Sequence, residues 1–367
     1  MKNEIKPKIL IIGFGWASLG FLNKINYKNF QVEIYSKNKY FNYTPLLAQS
    51  ITNDKFDNLL TRSVNSFKKV IHKPYNIIDT NFEKNQVTLD NNDIIDYDYL
   101  IMAHGSTINY YNIDGLQEFS YKLKDIKDMK KIREKLLNLS ANSTIAVMGC
   151  GPTGVEIIGS LLDENIHKVN RFNIVAIDGM NLPVSMFDKK ISNQILNLWS
   201  NHNVNIMMNS FVKKINHNKI ICQNNNKEKT VNYDLALWCG GVKNNTLTTN
   251  ILNKYFQNNK KNMGLPVNNY LQIKNKINNT FAIGDCNFTN FPKTAQVAYQ
   301  QGNYLAARFN NDFKINNPFK FNDMGQFSYI GKYQSVYNGP YFHGGGYIFK
   351  LANNCVSMYN LLKTKFF

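Results

Sequence analysis

The chain is poor in cysteine, and the five it has, Cys150, Cys222, Cys239, Cys286 and Cys355, stand far apart with no C-x-x-C among them. That excludes a disulfide framework and a redox-active dithiol, and it points to a reducing compartment. The six histidines show no metal-ligand spacing, so no metal site is expected. No apolar run reaches the ~18 residues of a membrane span. The first strand, within KPKILIIG, begins so early that we expect neither a cleavable presequence nor a signal peptide. Basic residues outnumber acidic ones, 43 to 25, for a formal charge of +18. They nevertheless form no block of five or six, so the balance favours an anionic lipid surface and disfavours nucleic acid as partner. Apolar residues are not scarce. At 43 % hydrophobic and 13 % aromatic over 367 residues, the chain can build two or three ordinary domains, and disorder is not the default.

Two segments share one grammar. KILIIGFGWASLGFLNKI (8–25) and STIAVMGCGPTGVEIIGSLL (143–162) each run apolar strand, glycine-rich turn, amphipathic helix, and each is followed by a second strand, QVEIYS (31–36) and FNIVAID (172–178). KKVIHKP, QVTLD and DYDYLIMAHGS read as strands completing the first unit, while YDLALWCGGVKNN and NTFAIGDCNF read as strands ending at glycines. The expected fold is α/β, with two Rossmann-like dinucleotide-binding domains, the first interrupted by the second, and a small C-terminal segment.

In the first turn Gly13 makes the tight bend, Gly15 lets backbone approach a pyrophosphate at the helix start, and Ser18 fills the third position. An acidic residue is missing from the end of its second strand, where Tyr35 and Ser36 stand; a purely structural turn stays open. The second fingerprint is complete, with Gly149, Gly151 and Gly154, and with Asp178 closing the following strand. A carboxylate there accepts hydrogen bonds from a ribose and repels a 2′-phosphate, favouring NADH over NADPH; the alternative is a strand-end turn residue. Two such domains imply a flavin beside a nicotinamide, and a second electron acceptor.

The stretch FPKTAQVAYQQGNYLAARF (291–309) reads as a helix starting near Pro292. At about 100° per residue, Ala295, Ala298, Gly302, Leu305 and Phe309 share an apolar face while Gln296, Gln300 and Asn303 point away, toward solvent or a polar ligand. YIFKLANNCVSMYNLLKTKFF (347–367) gathers Ile348, Ala352, Cys355, Tyr359, Leu362 and Phe366 in one apolar stripe, with Lys350, Asn353 and Ser357 opposite. Such a helix can lie in a membrane interface or pack on the domain surface.

GFGWASLGFL, KYFNYTPLLAQS (39–50), GCGPTGVE, MFDKKIS, LWCGGVK, FAIGDC, PKTAQVAYQQGNYLA and FSYIGKY follow one another in an order that resembles the type II NADH:quinone oxidoreductases over residues 8–331. The resemblance implies FAD held by Gly13, Gly15, Ser18, Ser36, Thr44, Gly105, Asp285 and Ala295. It implies NADH on Gly149, Gly151, Gly154, Glu156, Asp178, Gly240 and Gly241, and it places Gln296 and Gln300 as catalytic residues bordering flavin ring and quinone. The implied division is an FAD domain over 1–140 and 264–310, an NADH domain over 141–263 and a C-terminal domain over 311–367. The implied activity is ping-pong oxidation of NADH with two-electron reduction of a membrane quinone, without proton pumping. It would proceed in a homodimer peripheral to the mitochondrial inner membrane or an equivalent respiratory membrane. Many relatives have Thr at His104 and a second carboxylate at Ser160, which puts redox tuning and proton supply in doubt. Alternatives are a sulfide:quinone oxidoreductase, disfavoured by the dispersed cysteines, and a flavin-containing, nucleic-acid-binding protein with vestigial redox activity.

Overall fold

The computed structural model describes residues 6–167, 171–225, 227–256, 263–274, 278–331 and 333–366. Lys8–Ile12 is apolar at nearly every position because it runs down the middle of a five-stranded parallel sheet. Gln31–Tyr35 and then Val70–Lys73 flank it on one side, Tyr99–Met102 and then Thr280–Ala282 on the other. The last of these strands arrives only after the chain has built a second sheet. Gln86–Leu89, expected within this unit, is instead the central strand of a separate antiparallel sheet with Ile77–Asn81 and Ile94–Asp96. Helix α1 (Trp16–Leu22) follows the first glycine-rich turn.

Two short helices, α2 (Leu116–Phe119) and α3 (Ile126–Leu137), lead to the second parallel sheet, whose order is Tyr121–Lys122, Leu235–Trp238, Ser143–Met148, Phe172–Ile177, Asn205–Met207. Helices α4 (Pro152–His167) and α5 (Lys189–Asn201) belong to this half, while α6 (Thr246–Tyr255), which follows it in the chain, packs on the first unit, where Tyr255 donates to Thr80 O (3.0 Å) and Lys254 to Asp79 Oδ2 (2.9 Å). A hairpin-linked sheet of Phe211–Ile215, Lys219–Asn224 and Lys227–Asn232 completes the half around the second sheet.

The return to the first sheet ends in α7 (Ala295–Asn310), which packs on α1 backbone to backbone. A β-carbon on Gly20 would lie 2.3 Å from Tyr299 O, and one on Gly302 2.1 Å from Ala17 O, so neither position admits a side chain. Gln326–Gly331, Gln334–Asn338 and His343–Gly346 then form an antiparallel sheet, and α8 (Tyr347–Phe366) closes the chain.

Helix α8 turns its polar stripe inward. Asn353, 8 % exposed, donates to Ser335 Oγ (3.1 Å), Ser357 O accepts from the Tyr43 hydroxyl (3.2 Å), and Arg62 caps the C-terminal end at Thr364 O (2.7 Å). Ile348 (78 % exposed), Leu351, Cys355, Met358, Tyr359 (64 %) and Leu362 face outward. Of the expected apolar stripe, Ala352 is half-buried and the Phe366 side chain lies outside the described residues. Lys350, expected opposite the stripe, stands 3.6 Å from the Tyr329 ring centroid. No helix among the described residues is long and apolar enough to cross a membrane.

Candidate active site between the two glycine-rich units

A cavity of about 580 Å³ runs between the C-terminal ends of the two parallel sheets. The first unit gives it Gly13, Gly15, Trp16, Ser36 and Thr44; the end of strand Tyr99–Met102 gives Ala103 through Ser106. The second unit gives Thr153, Glu156, Trp238, Cys239 and Gly241, and the returning chain gives Asp285, Lys293, Thr294, Ala295 and Ala298. Expected site residues Gly13, Gly15, Ser36, Thr44, Gly105, Asp285, Ala295, Glu156 and Gly241 therefore share one space. Ser18, Gly149, Gly151, Gly154, Asp178 and Gly240 are not among the residues that line it. A second cleft, of about 680 Å³, lies within the second unit between strands Phe172–Ile177 and Asn205–Met207 and the sheet of Lys227–Asn232, and its only titratable lining group is Lys229.

Both turns are built alike. Gly13 N donates to Tyr35 O (2.9 Å) and Gly149 N to Ile177 O (2.8 Å), each glycine having a positive φ, +92° and +95°. A β-carbon at Gly13 would strike Ala103 O and His104 Cα at 2.8 Å; at Gly149 it would strike Cys239 and Gly240 at 2.7–2.8 Å. At Gly15, Gly105 and Gly151, by contrast, an added β-carbon meets nothing within 4 Å. Gly15 and Gly151 keep the starts of α1 and α4 open and Gly105 the end of strand Tyr99–Met102, which fits an anionic diphosphate that must touch backbone N–H groups.

Asp178 clasps the second turn: Oδ2 accepts from Cys150 N (2.5 Å) and Oδ1 from Met180 N (2.7 Å). On the cavity wall Ser106 donates to Asp285 Oδ2 (3.0 Å), Lys293 Nζ donates to Asp285 O (2.8 Å) and Met263 O (2.6 Å), and Trp16 Nε1 donates to Thr44 Oγ1 (3.0 Å).

Several ionisable groups at and around the cavity are displaced. Burial pushes the Glu156 carboxyl up to about 8, against the opposing pull of the Tyr329 N–H and the Lys350 ammonium. Burial brings Lys350 down to about 8, with Asp163 and Glu156 resisting. The Tyr329 hydroxyl donates to Asp163. Burial also lowers His104 to about 4, so its imidazole is neutral at pH 7; Nε2 meets Thr248 Oγ1 at 2.8 Å and Nδ1 has no partner. Ser160, where a second carboxylate was at issue, donates to Glu156 O (3.0 Å) along α4. Burial raises Cys239 and Cys286 to about 12 and Cys150 well above its usual value, so these thiols stay protonated and unreactive.

The start expected for α7 is corrected. The helix begins at Ala295, with Thr294 as its N-cap (Oγ1 accepts from Val297 N, 3.3 Å), three residues beyond Pro292. The Thr294 N–H is not free, since it bonds Pro292 O at 2.9 Å. Gln296 and Gln300 do not line the cavity. Their amides are committed to the backbone of residues 322–325, a meeting that periodicity within the helix has no means to show. Gln301 was passed over and is fully buried. Its Oε1 accepts from Gly284 N (2.7 Å) and Asn287 Nδ2 (3.0 Å), holding the turn that carries Asp285. Its spacing from Ala298 and Leu305, three and four residues, was the available sign.

A family model described as pyridine nucleotide-disulphide oxidoreductase matches residues 7–302. A probable mitochondrial NADH-ubiquinone oxidoreductase of Schizosaccharomyces pombe is 29 % identical over 357 residues, covering 83 % of this chain and 62 % of that protein. A probable NADH dehydrogenase of Dictyostelium discoideum is 28 % identical, with 83 % and 73 % covered. The chain thus spans less than two thirds of the fission-yeast relative's length. Among solved structures, NDH2 from Plasmodium falciparum in complex with NADH is similar at a TM-score of 0.88 and 25 % identity, covering 98 % and 97 % of the two chains. The sulfide:quinone oxidoreductase of Aquifex aeolicus, at 0.84 and 18 % identity with 98 % and 91 % covered, is a likeness of fold alone.

Proposed function

Since the chain belongs to the pyridine nucleotide-disulphide oxidoreductase family, we propose that it oxidises NADH and reduces a membrane quinone by two electrons, with FAD as resident cofactor. The observation that carries this reading is a cavity lined by the first glycine-rich turn and, from the second unit, by Thr153, Glu156, Trp238, Cys239 and Gly241: it gives two dinucleotides one meeting place. The relatives named NADH-ubiquinone oxidoreductase and NADH dehydrogenase support the choice of substrates.

FAD, when bound, supplies the capacity to take a hydride equivalent from NADH and release two electrons to quinone. The chain's own residues bind and orient. Gly15 and Gly105 leave room for the FAD diphosphate, Gly13 makes the tight turn beside them and Ser18 braces that turn from behind; Ser36, Thr44, Asp285 and Ala295 are placed along the remaining length. Gly149, Gly151 and Gly154 shape the NADH turn, Asp178 presents its carboxylate to the ribose, and Gly240, packed on the Trp238 ring, and Gly241 stand on the nicotinamide side. The Glu156 carboxyl retains its proton at pH 7, beside Lys350. In this reading 1–140 and 264–310 form the FAD domain, 141–263 the NADH domain and 311–367 the C-terminal domain.

The outward apolar stripe of α8 is proposed to rest in the surface of an anionic membrane, making the protein peripheral to a respiratory membrane, with a homodimer as the functional unit. Anaerobic mixing of the FAD-loaded protein with NADH, then with a short-chain ubiquinone, tests the reading. Flavin absorbance should bleach and then return. Failure to bleach would remove NADH as donor; bleaching without recovery would remove quinone as acceptor.

A further inference from the structure

The rim that carries Asp178 is bonded to the segment leading into strand Phe211–Ile215. Ser210 N donates to Asp178 O (2.8 Å) and Asn209 N to Met180 O (2.9 Å). Asn224 Nδ2 in turn donates to Met208 O and to Ser210 Oγ, both at 3.0 Å. The strand therefore starts at a set place beside the rim, with Phe211 opposite Gln223 in the ladder.

The Phe211 ring lies over Gly179. A β-carbon on Gly179 would stand 2.5 Å from Cε1, 2.7 Å from Cδ1 and 3.1 Å from Cζ of that ring, so any side chain there would displace it. The rest of the ring is open: Phe211 is 58 % exposed, and Met180 is exposed beside it. An aromatic ring seated on backbone with its outer face in water is a platform for a second flat ring, which would take that apolar face out of water.

Asp178 stands between this platform and the second glycine-rich turn. Its oxygens accept from Cys150 N on the turn side and from Met180 N on the platform side, and an ionised carboxylate has about four lone-pair positions, so capacity for a ribose hydroxyl remains. Turn, carboxylate and ring thus follow one another as diphosphate, ribose and base do in a dinucleotide.

We infer that Phe211 is a binding residue for NADH: its exposed face stacks on the adenine ring while Asp178 holds the adjoining ribose. The stack adds affinity through the half of the dinucleotide that does no chemistry. The inference rests on the reading of NADH as electron donor proposed above.

The test uses the full-length, FAD-loaded protein. In Phe211→Ala the NADH KM should rise about fivefold to twentyfold with kcat held, and Phe211→Tyr, which keeps the ring, should bring KM back to within about twofold of wild type. Reduced nicotinamide mononucleotide lacks the adenosine half, so the ratio of kcat/KM for NADH to that for the mononucleotide should fall in Phe211→Ala by the same factor. ADP-ribose has the adenine and no nicotinamide; by calorimetry, without turnover, it should bind Phe211→Ala about fivefold to twentyfold more weakly than wild type. Equal loss of kcat/KM for NADH and the mononucleotide would overturn the inference, because the ring would then act only by shaping the Asp178 rim. ADP-ribose bound alike by both proteins would overturn it too. If NADH does not reduce the wild-type flavin, the functional reading fails, and calorimetry still decides the platform: binding that Phe211→Ala weakens upholds it, and no binding to wild type sinks it.

Discussion

In the first glycine-rich turn Ser18 reaches Gly13 O with its hydroxyl at 2.7 Å, while at the same place in the second turn a β-carbon on Gly154 would sit 1.9 Å from Gly149 O. One helix is held off its turn by a bridging hydroxyl; the other presses directly on it. The strand ends differ as well. Asp178 stands at the rim of the second turn with both oxygens on backbone N–H groups, whereas the acid of the first unit, Glu33, is buried (8 % exposed) and accepts from Tyr35 and Gln31 side chains. On the proposed function this asymmetry has a purpose. A dinucleotide that exchanges at every turnover must be told from its 2′-phosphorylated form, and a rim carboxylate does that. A resident cofactor needs no such test, so Ser36 suffices at its rim.

The comparison breaks most readily at Gly154. Gly154→Ala forces a β-carbon onto backbone that has nowhere to go, costing about 3 kcal/mol, and should lower the melting temperature by roughly 6–12 °C. NADH binding should weaken while FAD content per folded molecule stays as in the wild type. Equal loss of FAD would show that the two turns are not separable. Next comes Asp178→Ala, which removes the ribose acceptor and leaves the Cys150 and Met180 N–H groups without their partner. The NADH KM should rise about tenfold or more, and the preference over NADPH should relax. An unchanged NADH to NADPH ratio of kcat/KM would sink the discriminating role. Smaller still is Ser18→Ala, which removes one buried hydrogen bond worth about 1 kcal/mol and should leave NADH kinetics alone.

How far the sequence speaks follows from the range of each interaction. Both turns, the strands around them and the apolar face of α7 are local patterns, so Gly13, Gly149 and Asp178 could be named from neighbours a few residues away. The true start of α7 was misread because Pro292 is a common first-turn residue, and the competing N-cap, Thr294, carries a weaker signal. The partners of Gln296 and Gln300 lie more than twenty residues off, in a segment with no periodicity of its own. Which face of α8 turns inward was likewise not local: Ser335, Tyr43 and Arg62 decide it, from three different parts of the chain.

The smallest expected effect separates the two walls of the cavity by pH. On the first wall burial lowers His104 to about 4, so the unfolded chain binds a proton below its usual 6.5 that the folded chain refuses. Stability from this group is therefore lost as pH falls from 6.5 toward 4. On the second wall Glu156 is raised from 4.5 to about 8, so the folded chain keeps a proton that the unfolded chain has released. Its contribution is complete below pH 4.5 and is lost as pH rises through 8. Lys350 on α8 faces Glu156, and Asp163 on α4 resists the downward shift of Lys350; below pH 8 Glu156 is protonated, so Glu156→Gln removes no charge facing Lys350 there. Glu156→Gln should accordingly gain melting temperature relative to wild type between pH 5 and pH 8, by about 2 °C or more, and the gap should open no further above that. His104→Asn should gain only below pH 6.5. If both variants shifted stability over the same pH range, the two walls would be titrating as one group, and the separation drawn between the two glycine-rich units would not extend to the cavity they share.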